Sequence, residues 1–468
     1  MLRYCAFIKI IRIAGRGTSL LFLLFCFAFL SIAVTAHAQD STRPWTIQQC
    51  IVYGKTHNTG LQQADVNVRE AQYDHLAAKG QLLPSIGASV TQNYNIGLSI
   101  DPITNVKKDQ TTRSNSFGLS GNWTLFNGFS VLHNIKKTAL DALATRYQKQ
   151  QMENDLTINI VNAYLQILLN KELLDMARRV ESLSRQQQAD IQQQTDVGEK
   201  SASDLVDAQS QVASDRQQVV QADNNLIIAR RTLAQYLQLK PVEHFRVAGD
   251  TAFLADTTLL SKSMDEVYHQ ALQTQPGIKL QQALIQSSRQ NLKIARSNFL
   301  PSLVFSAGAG TDYSEQYILN GAKVPFSKQF SDNLGHYFIF SLNIPIFNNF
   351  YTYTTSKKAK LEILKAKEQS ELERYQLWQA VQTVYSNARL SLRAYKTAME
   401  SYGAQKKAYG YAEERFKAGL ITTYDEELVR NKMVTAESQM LQYKYQYWYN
   451  LLLLRFYFTN QVQGLGSE

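Results

Sequence analysis

Two stretches of this 468-residue chain have the pattern of helices that are too long for a compact domain. One runs from about residue 129 to residue 197, the other from about residue 351 to residue 418, and neither contains a proline. In the first, apolar residues recur at spacings of three and four, which predicts a helix with an apolar stripe. At about 1.5 Å per residue, each helix would be on the order of 100 Å long. We therefore expect helices that pack side by side over a long distance.

A turn and a second helix follow the first long helix. Gly198 suits the C-terminal end of a helix, and Ser201 with Asp204 three positions later has the pattern of a capping box at the start of the next. In that next helix, from about residue 201 to residue 239, apolar residues form a heptad seam that is broken only at Asp215. The unit is predicted to be a long antiparallel helical hairpin.

Four segments change to a period of two. They lie at about residues 85–100, 116–126, 302–313 and 335–347, where apolar side chains alternate with small or uncharged polar ones. This alternation predicts strands with one apolar and one polar face. A surface hairpin packed on the helices would show it too, but the length of the strands and the aromatic residues near their ends are typical of a membrane β-barrel. Polar loops are expected at about residues 101–115 and 312–334.

The second half of the chain repeats the first. Pro84 recurs as Pro301, 217 positions later, and the strand exit at Phe126 recurs as Phe347, 221 positions later. The turn glycine recurs at the second spacing as Gly419, and the capping box recurs as Thr422 with Asp425. This indicates a tandem duplication, with a first repeat at 39–250 and a second at 251–468. The four extra residues fall in the second strand–strand loop.

Residues 1–38 have the pattern of a secretory signal peptide. Four positive charges precede an apolar run at 20–34, and the segment ends in Ala-His-Ala. Its removal would lower the net charge from +10 to +6, an excess that we expect to be spread along solvated helix faces rather than to bind nucleic acid. Cys50 would then be the remaining cysteine, so an intramolecular disulfide is not expected.

Four strands per chain are too few to close a barrel, and an open sheet in lipid would leave backbone groups unpaired. Three chains would supply about twelve strands, an even number of the kind found in such barrels. The sequence offers no clustered acid, base, nucleophile or metal set, and its histidines are scattered, so we predict no enzyme and no cofactor.

The paired Leu-Pro strand entries, the paired Phe-Asn strand exits and the two Gly-x-x-Ser/Thr-x-x-Asp turns resemble those of the TolC family of outer-membrane efflux proteins. The resemblance implies an α+β membrane protein, a homotrimer with a twelve-stranded barrel in the outer membrane of a Gram-negative bacterium and a long periplasmic α-helical barrel. It also implies an exit duct for efflux or type I secretion, fed by a periplasmic adaptor and an inner-membrane pump of the RND or ABC type. The adaptor would dock at the turns formed by Gly198, Ser201, Gly419 and Thr422.

The resemblance also assigns residues to the closed periplasmic end. Asp425 takes the position of an acidic pore constriction, and Asp204 that of a carboxylate that latches the neighbouring hairpin. Where the best-known pattern has a tyrosine and an arginine in the latch, this chain has Phe416 and Ile421, so we expect apolar packing there. Leu428 stands at the second acidic position, and Glu426 and Glu427 are expected to replace the missing carboxylate. The competing hypothesis is a periplasmic coiled-coil adaptor or scaffold without a pore.

Overall fold

The computed structural model describes residues 44–100, 105–109, 111–240, 245–249 and 258–460. The predicted signal peptide and the boundary between the two repeats lie outside these residues. Among the helices described, none combines the length and the hydropathy that crossing a membrane requires.

The helices of the first half have counterparts of almost the same length in the second. The first half contains α1 (Ile47–His57), α2 (Thr59–Gly80), α3 (Ser130–Asp196) and α4 (Ala202–Leu237). The second contains α5 (Met264–Thr274), α6 (Pro276–Ser297), the short α7 (Phe326–Asp332), α8 (Tyr351–Lys417) and α9 (Thr423–Thr459), preceded by a 3-10 turn at Thr258–Ser261. Both α3 and α8 have 67 residues, so the two long helices and the duplication are present.

Strands of the two halves join in one antiparallel sheet. The strands are β1 (Ser85–Asn95), β2 (Leu98–Ile100), β3 (Lys107–Asp109), β4 (Thr112–Asn127), β5 (Ser302–Ser314), β6 (Ile318–Leu319), β7 (Ala322–Lys323) and β8 (Gly335–Asn343). The four long strands have the order β1-β4-β5-β8. Apolar residues face apolar residues across it, with Val90 opposite Phe117 and Phe305 opposite Phe340. Within the described chain, β1 and β8 are paired on one side only, so the sheet does not close.

The first helical segment is divided at Asn58, which caps α2 by accepting a bond from the Leu61 amide. The structure also corrects two details of the sequence-based prediction. Strand β8 ends at Asn343 rather than at residue 347, because Pro345 has no amide hydrogen to donate. The second strand–strand loop is not a plain loop, since it contains β6, β7 and α7.

One buried side chain, Gln329, helps to hold helix α7 against β5. The Gln329 amide group donates to the carbonyl oxygens of Ser314 (3.0 Å) and Val324 (2.7 Å) and accepts from the Ser314 amide (2.9 Å). These bonds span up to fifteen positions, and a seven-residue helix is too short to show a period. The sequence pattern therefore missed it.

At both strand exits the chain turns into a long helix through two residues with a left-handed backbone. In the first half these are Gly128 and Phe129, with φ of 63° and 65°, and in the second they are Asn349 and Phe350, with φ of 51° and 61°. A left-handed pair reverses the local path of the chain. Each long helix then packs against the helix that precedes its own pair of long strands, α3 against α2 and α8 against α6.

The shorter helices pack against the long helices and connect them. Helix α6 lies between α3 and α8, α2 packs on α3, and α9 packs on both α8 and α3. Two apolar cores result: one surrounds Ile160 and Leu233, and the other surrounds Val381 and Leu454. Helix α9 thus joins the second hairpin to the first, since Tyr445 and Leu452 of α9 belong to the core of the first hairpin.

Candidate functional site: the tips of the two hairpins

The two hairpin turns have the same local structure. Gly198 and Gly419 adopt φ of 81° and 71°, which favours glycine, and neither has an atom where a Cβ would stand. Ser201 and Thr422 each begin the following helix as a capping box, in which the hydroxyl donates to the Asp three positions later at 2.7 Å. The sequence predicted both turns because capping signals are local.

These hydrogen bonds keep the two aspartates ionised. Bonds from Ser201 lower the pKa of Asp204, and bonds from Thr422 lower the pKa of Asp425. Asp425 is exposed and Asp204 is half-buried, and both lie at helix N-termini, where a negative charge is also favoured by the helix dipole. In the described residues, the hydrogen bonds of Asp204 go to its own turn rather than to the second hairpin. Its role as a latch to the neighbouring hairpin stays a prediction.

Phe416 does contact the first hairpin, although through a charged partner. The Lys200 ammonium group lies 5.3 Å from the centre of the Phe416 ring, a cation–π contact between the turn of one hairpin and the last turn of α8. Ile421 is half-buried in the second turn. The tip is therefore held in part by Lys200, a residue that the sequence pattern did not single out.

A cleft of about 400 Å³ separates the hairpins just above the turns. Its walls include Lys200, Tyr409, Phe416 and Glu426. Glu426 is 2% exposed and accepts a hydrogen bond from Gln187 of α3 at 3.0 Å. The prediction that Glu426 faces a pore is wrong, because its side chain is buried between hairpins. Burial and the Glu426 carboxylate also raise the pKa of Tyr409, so this phenol stays protonated.

One turn further along α9, a buried ion pair connects three helices. Arg430 is 1% exposed and Asp215 2% exposed, with 3.6 Å between the Arg430 Nη2 and Asp215 Oδ2 atoms. Ser184 of α3 links them, since Arg430 donates to its hydroxyl at 2.8 Å and the hydroxyl donates to Asp215. We call Ser184, Asp215 and Arg430 the hairpin bolt. It joins α3 and α4 of the first hairpin to α9 of the second.

Asp215 has its second oxygen satisfied by Gln211, whose amide donates at 2.9 Å. Arg430 is less complete, because its Nε and Nη2 atoms have no hydrogen-bond partner. Removing a guanidinium and a carboxylate from water costs several kcal/mol per ion, so each depends on the other for compensation. The bolt was visible in the sequence only as the one interruption of the α4 seam, at Asp215.

Glu427 is adjacent to the bolt and is partly buried. Burial raises the pKa of Glu427, although the Arg430 charge opposes the shift. Because the pKa of Asp425 is lowered, acidification protonates Glu427 before Asp425. Within the described chain, no group of three or more His, Cys, Asp or Glu side chains is arranged to hold a metal ion.

Comparisons with known proteins identify the family of the chain. Residues 55–238 and 267–458 match the model of the family described as "Outer membrane efflux protein". The chain belongs to the outer membrane efflux protein family. The two matched segments contain one hairpin each.

Individual members of this family are similar over most of their length. The chain is 23% identical to the outer membrane efflux protein BepC of Brucella suis, covering 85% of this chain and 81% of BepC. It is also 23% identical to the outer membrane protein TolC of Vibrio cholerae, covering 92% and 93%. The crystal structure of VceC from Vibrio cholerae has the same fold, with a TM-score of 0.75 at 13% identity over 88% of this chain and 96% of VceC.

Membership in the outer membrane efflux protein family settles the main alternatives. The protein is an exit duct of the outer membrane of a Gram-negative bacterium, with a large periplasmic helical part. The competing hypothesis of a periplasmic adaptor or scaffold without a pore is wrong. The TolC-like fold, with four long strands per chain and two long hairpins, is confirmed.

Proposed function

We propose that three copies of the chain form one continuous duct, and that substrate delivered by an inner-membrane pump passes through it without catalysis. The observation that carries this proposal is the open four-stranded sheet, whose edge strands β1 and β8 are each paired on one side. An unpaired edge costs several kcal/mol per backbone group in lipid. Pairing β1 of one copy with β8 of the next would satisfy both edges and close twelve strands.

One side of α2 lacks the long-helix neighbour that its counterpart α6 has. Helix α6 fills the space between the long helices α3 and α8, whereas its counterpart α2 packs on α3 alone among the long helices. The free side of α2 carries an exposed apolar stripe at Val66, Tyr73 and Leu76. The free side of α8 carries exposed Leu361 and Leu372. We infer that α2 of one copy lies against α8 of its neighbour, which extends the closed ring below the sheet.

The tips of the two hairpins would bind the periplasmic adaptor of the export system. Val197, Leu420 and Tyr424 are largely exposed around the two turns, and apolar groups of this kind suit the helical hairpins of a periplasmic adaptor. We propose that such an adaptor docks at Gly198, Ser201, Gly419 and Thr422 and connects the duct to a pump of the RND or ABC type. The pump supplies the energy, and the duct itself does no chemistry.

Gel mobility and electrical recording test the duct directly. Purified protein that is not boiled should migrate as a trimer on denaturing gels and dissociate on heating, and reconstitution in a planar bilayer should give single-channel conductance. A stable monomer that gives no conductance under several lipid compositions would contradict the proposal.

We further propose that Asp425 and Glu427 form the acidic constriction. Replacing Asp425 by Asn should weaken cation selectivity, because three copies of an ionised carboxylate at a narrow neck attract cations. Since the pKa of Asp425 is lowered and that of Glu427 is raised, acidification should first remove the contribution of Glu427. Reversal potentials measured in asymmetric salt at several pH values would show this.

Asp204 provides the matched control for that measurement. It has the same capping box and the same direction of pKa shift as Asp425, but it begins α4 rather than α9. Asp204→Asn should therefore cost the same capping bonds and leave selectivity unchanged. Equal selectivity in Asp425→Asn and wild type would remove Asp425 from the constriction.

A further inference from the structure

The positive charge of the chain is concentrated where the helices meet the sheet. Four helix ends adjoin the long strands, and three of them are strongly basic: the first eleven residues of α3, the last eleven of α6 and the first eleven of α8. Together these 33 residues contain eight Lys or Arg and no Asp or Glu, whereas the last eleven residues of α2 contain one Lys, one Asp and one Glu. Positive charge is therefore denser at these three helix ends than an even spread along the helix faces would give. We call these helix ends the basic collar.

The lipid-facing side of the sheet can be followed onto α8. In β8 the apolar side chains at Phe338, Phe340 and Leu342 are exposed on one face, and Ile346 beyond the strand is 96% exposed. Ile346 and Tyr353 line the same cleft, of about 290 Å³. Tyr353 thus continues the lipid-facing side by one turn of α8.

Two lysines of the basic collar lie on that same side. The Lys357 ammonium group lies 5.3 Å from the centre of the Tyr353 ring. Lys360 is seven residues after Tyr353, which places it on the same helix face about 10 Å further from the sheet. In the first repeat the corresponding side, 221 positions earlier, carries exposed Leu132 and exposed Lys136. Both repeats therefore present lysine just below an apolar residue at the edge of the sheet.

These three lysines are not neutralised within the protein. Lys136, Lys357 and Lys360 are exposed, and none belongs to an ion pair in the part of the chain that the structure describes. Lys137, by contrast, pairs with Asp141 at 2.8 Å. An unpaired ammonium on a four-carbon stem, one to three turns below an apolar belt, lies at the height of lipid headgroups and can reach them.

We propose that Lys136, Lys357 and Lys360 form a binding surface for anionic phospholipid headgroups of the membrane leaflet that faces the periplasm. Lysines near a membrane surface attract anionic lipids, and the attraction falls with added salt. Such a surface would fix the depth of the sheet in the membrane. The inference rests on the outer-membrane placement, and it does not depend on which adaptor or pump is bound.

Lipid titration of the purified protein in detergent tests this surface. Phosphatidylglycerol and phosphatidylcholine of the same chain length are added separately, and bound lipid is counted by native mass spectrometry. Wild type should bind phosphatidylglycerol about tenfold more tightly than phosphatidylcholine, with the preference reduced at high salt. The variant K136Q/K357Q/K360Q should lose the preference.

The same long helix offers a control. Lys406 lies 5.9 Å from the centre of the Tyr402 ring, the same arrangement as Lys357 on Tyr353, but 49 residues further from the sheet. The variant K396Q/K406Q/K407Q should keep the phosphatidylglycerol preference. An unchanged preference in K136Q/K357Q/K360Q, or a wild type that does not discriminate between the lipids, would overturn the proposal.

A channel assay distinguishes a failure of the lipid-binding proposal from a failure of the proposal that the protein forms a duct. The K136Q/K357Q/K360Q variant should still form a trimer on gels and conduct ions, because the three lysines touch neither the sheet pairing nor the hairpin tips. Loss of lipid preference with conductance intact supports the binding surface. Conductance intact with lipid preference also intact contradicts the surface and leaves the duct standing.

Discussion

Replacing Arg430 by methionine is expected to destabilise the folded protein by about 3–5 kcal/mol, because the change leaves the Asp215 carboxylate buried without its cation. Asp215 is 2% exposed, so it cannot turn to solvent without opening the contact between the hairpins. Ser184 keeps its bond to one Asp215 oxygen, and Gln211 keeps its bond to the other. Neither supplies a positive charge. The loss should appear as a lower midpoint in chemical unfolding.

The double variant Arg430→Met/Asp215→Leu distinguishes the ion pair from simple packing. Replacing both members of a buried pair by apolar side chains is often neutral or stabilising, so the double variant should recover most of the lost free energy of unfolding. Arg231→Met serves as the matched surface control: Arg231 is exposed on α4, and its loss should change stability by less than about 0.5 kcal/mol. Equal stability of Arg430→Met and Arg231→Met would contradict the role of the hairpin bolt.

The hairpin bolt also has a consequence for the duct. It joins α3 and α4 to α9, so the two hairpins of one chain cannot separate near their tips while it is intact. Arg430→Met should therefore raise single-channel conductance, and the double variant should return it toward the wild-type level. A conductance that stays at the wild-type level in Arg430→Met would show that the tips are held elsewhere, for example by Lys200 on Phe416.

Features encoded by neighbouring residues were predictable from the sequence. The capping boxes at Ser201 and Thr422 depend on residues three positions apart, and the long helices depend on a repeating apolar stripe. Their predicted ends lie within about two residues of the observed ones because the same local signals end a helix. The four long strands were predicted from their alternating pattern. Because four strands are too few to close a barrel, the open edges of the sheet were predictable as well.

Features that depend on distant residues were not predictable. The sequence pattern did not single out Arg430 of α9. Its burial arises from Ser184, which is 246 positions away. The same holds for Glu426, which was predicted to face the pore but lies against Gln187 of α3. Charged residues inside a helical bundle are compensated by partners on other helices. The spacing of residues along one helix does not reveal those partners.

Replacing Gly128 by asparagine is expected to impair assembly more than any other single change at the strand exits. A Cβ atom at residue 128 would stand 2.6 Å from the Ser297 carbonyl oxygen and 2.9 Å from the Leu300 Cβ atom. The carbonyl belongs to the backbone of α6 and cannot swing aside as a side chain would. Relieving the contact requires α6 to move away from the exit of β4, which we expect to cost about 1–3 kcal/mol by analogy with overpacked cores.

Asparagine is the informative substitution because the other repeat already uses it. Asn349 occupies the corresponding position with φ of 51°, so the left-handed backbone is available to asparagine, and Gly128→Asn isolates the steric contact. Asn349→Gly is the reverse control and should change stability by less than about 1 kcal/mol, since it only adds backbone freedom. Gly128→Val should be worse than Gly128→Asn by a further 1–2 kcal/mol or so, because a β-branched residue also resists φ of 63°. The yield of heat-dissociable trimer and the urea midpoint should therefore rank wild type and Asn349→Gly together, then Gly128→Asn, then Gly128→Val. If Gly128→Asn matches Asn349→Gly, then α6 yields freely at this point and the two strand exits are equivalent.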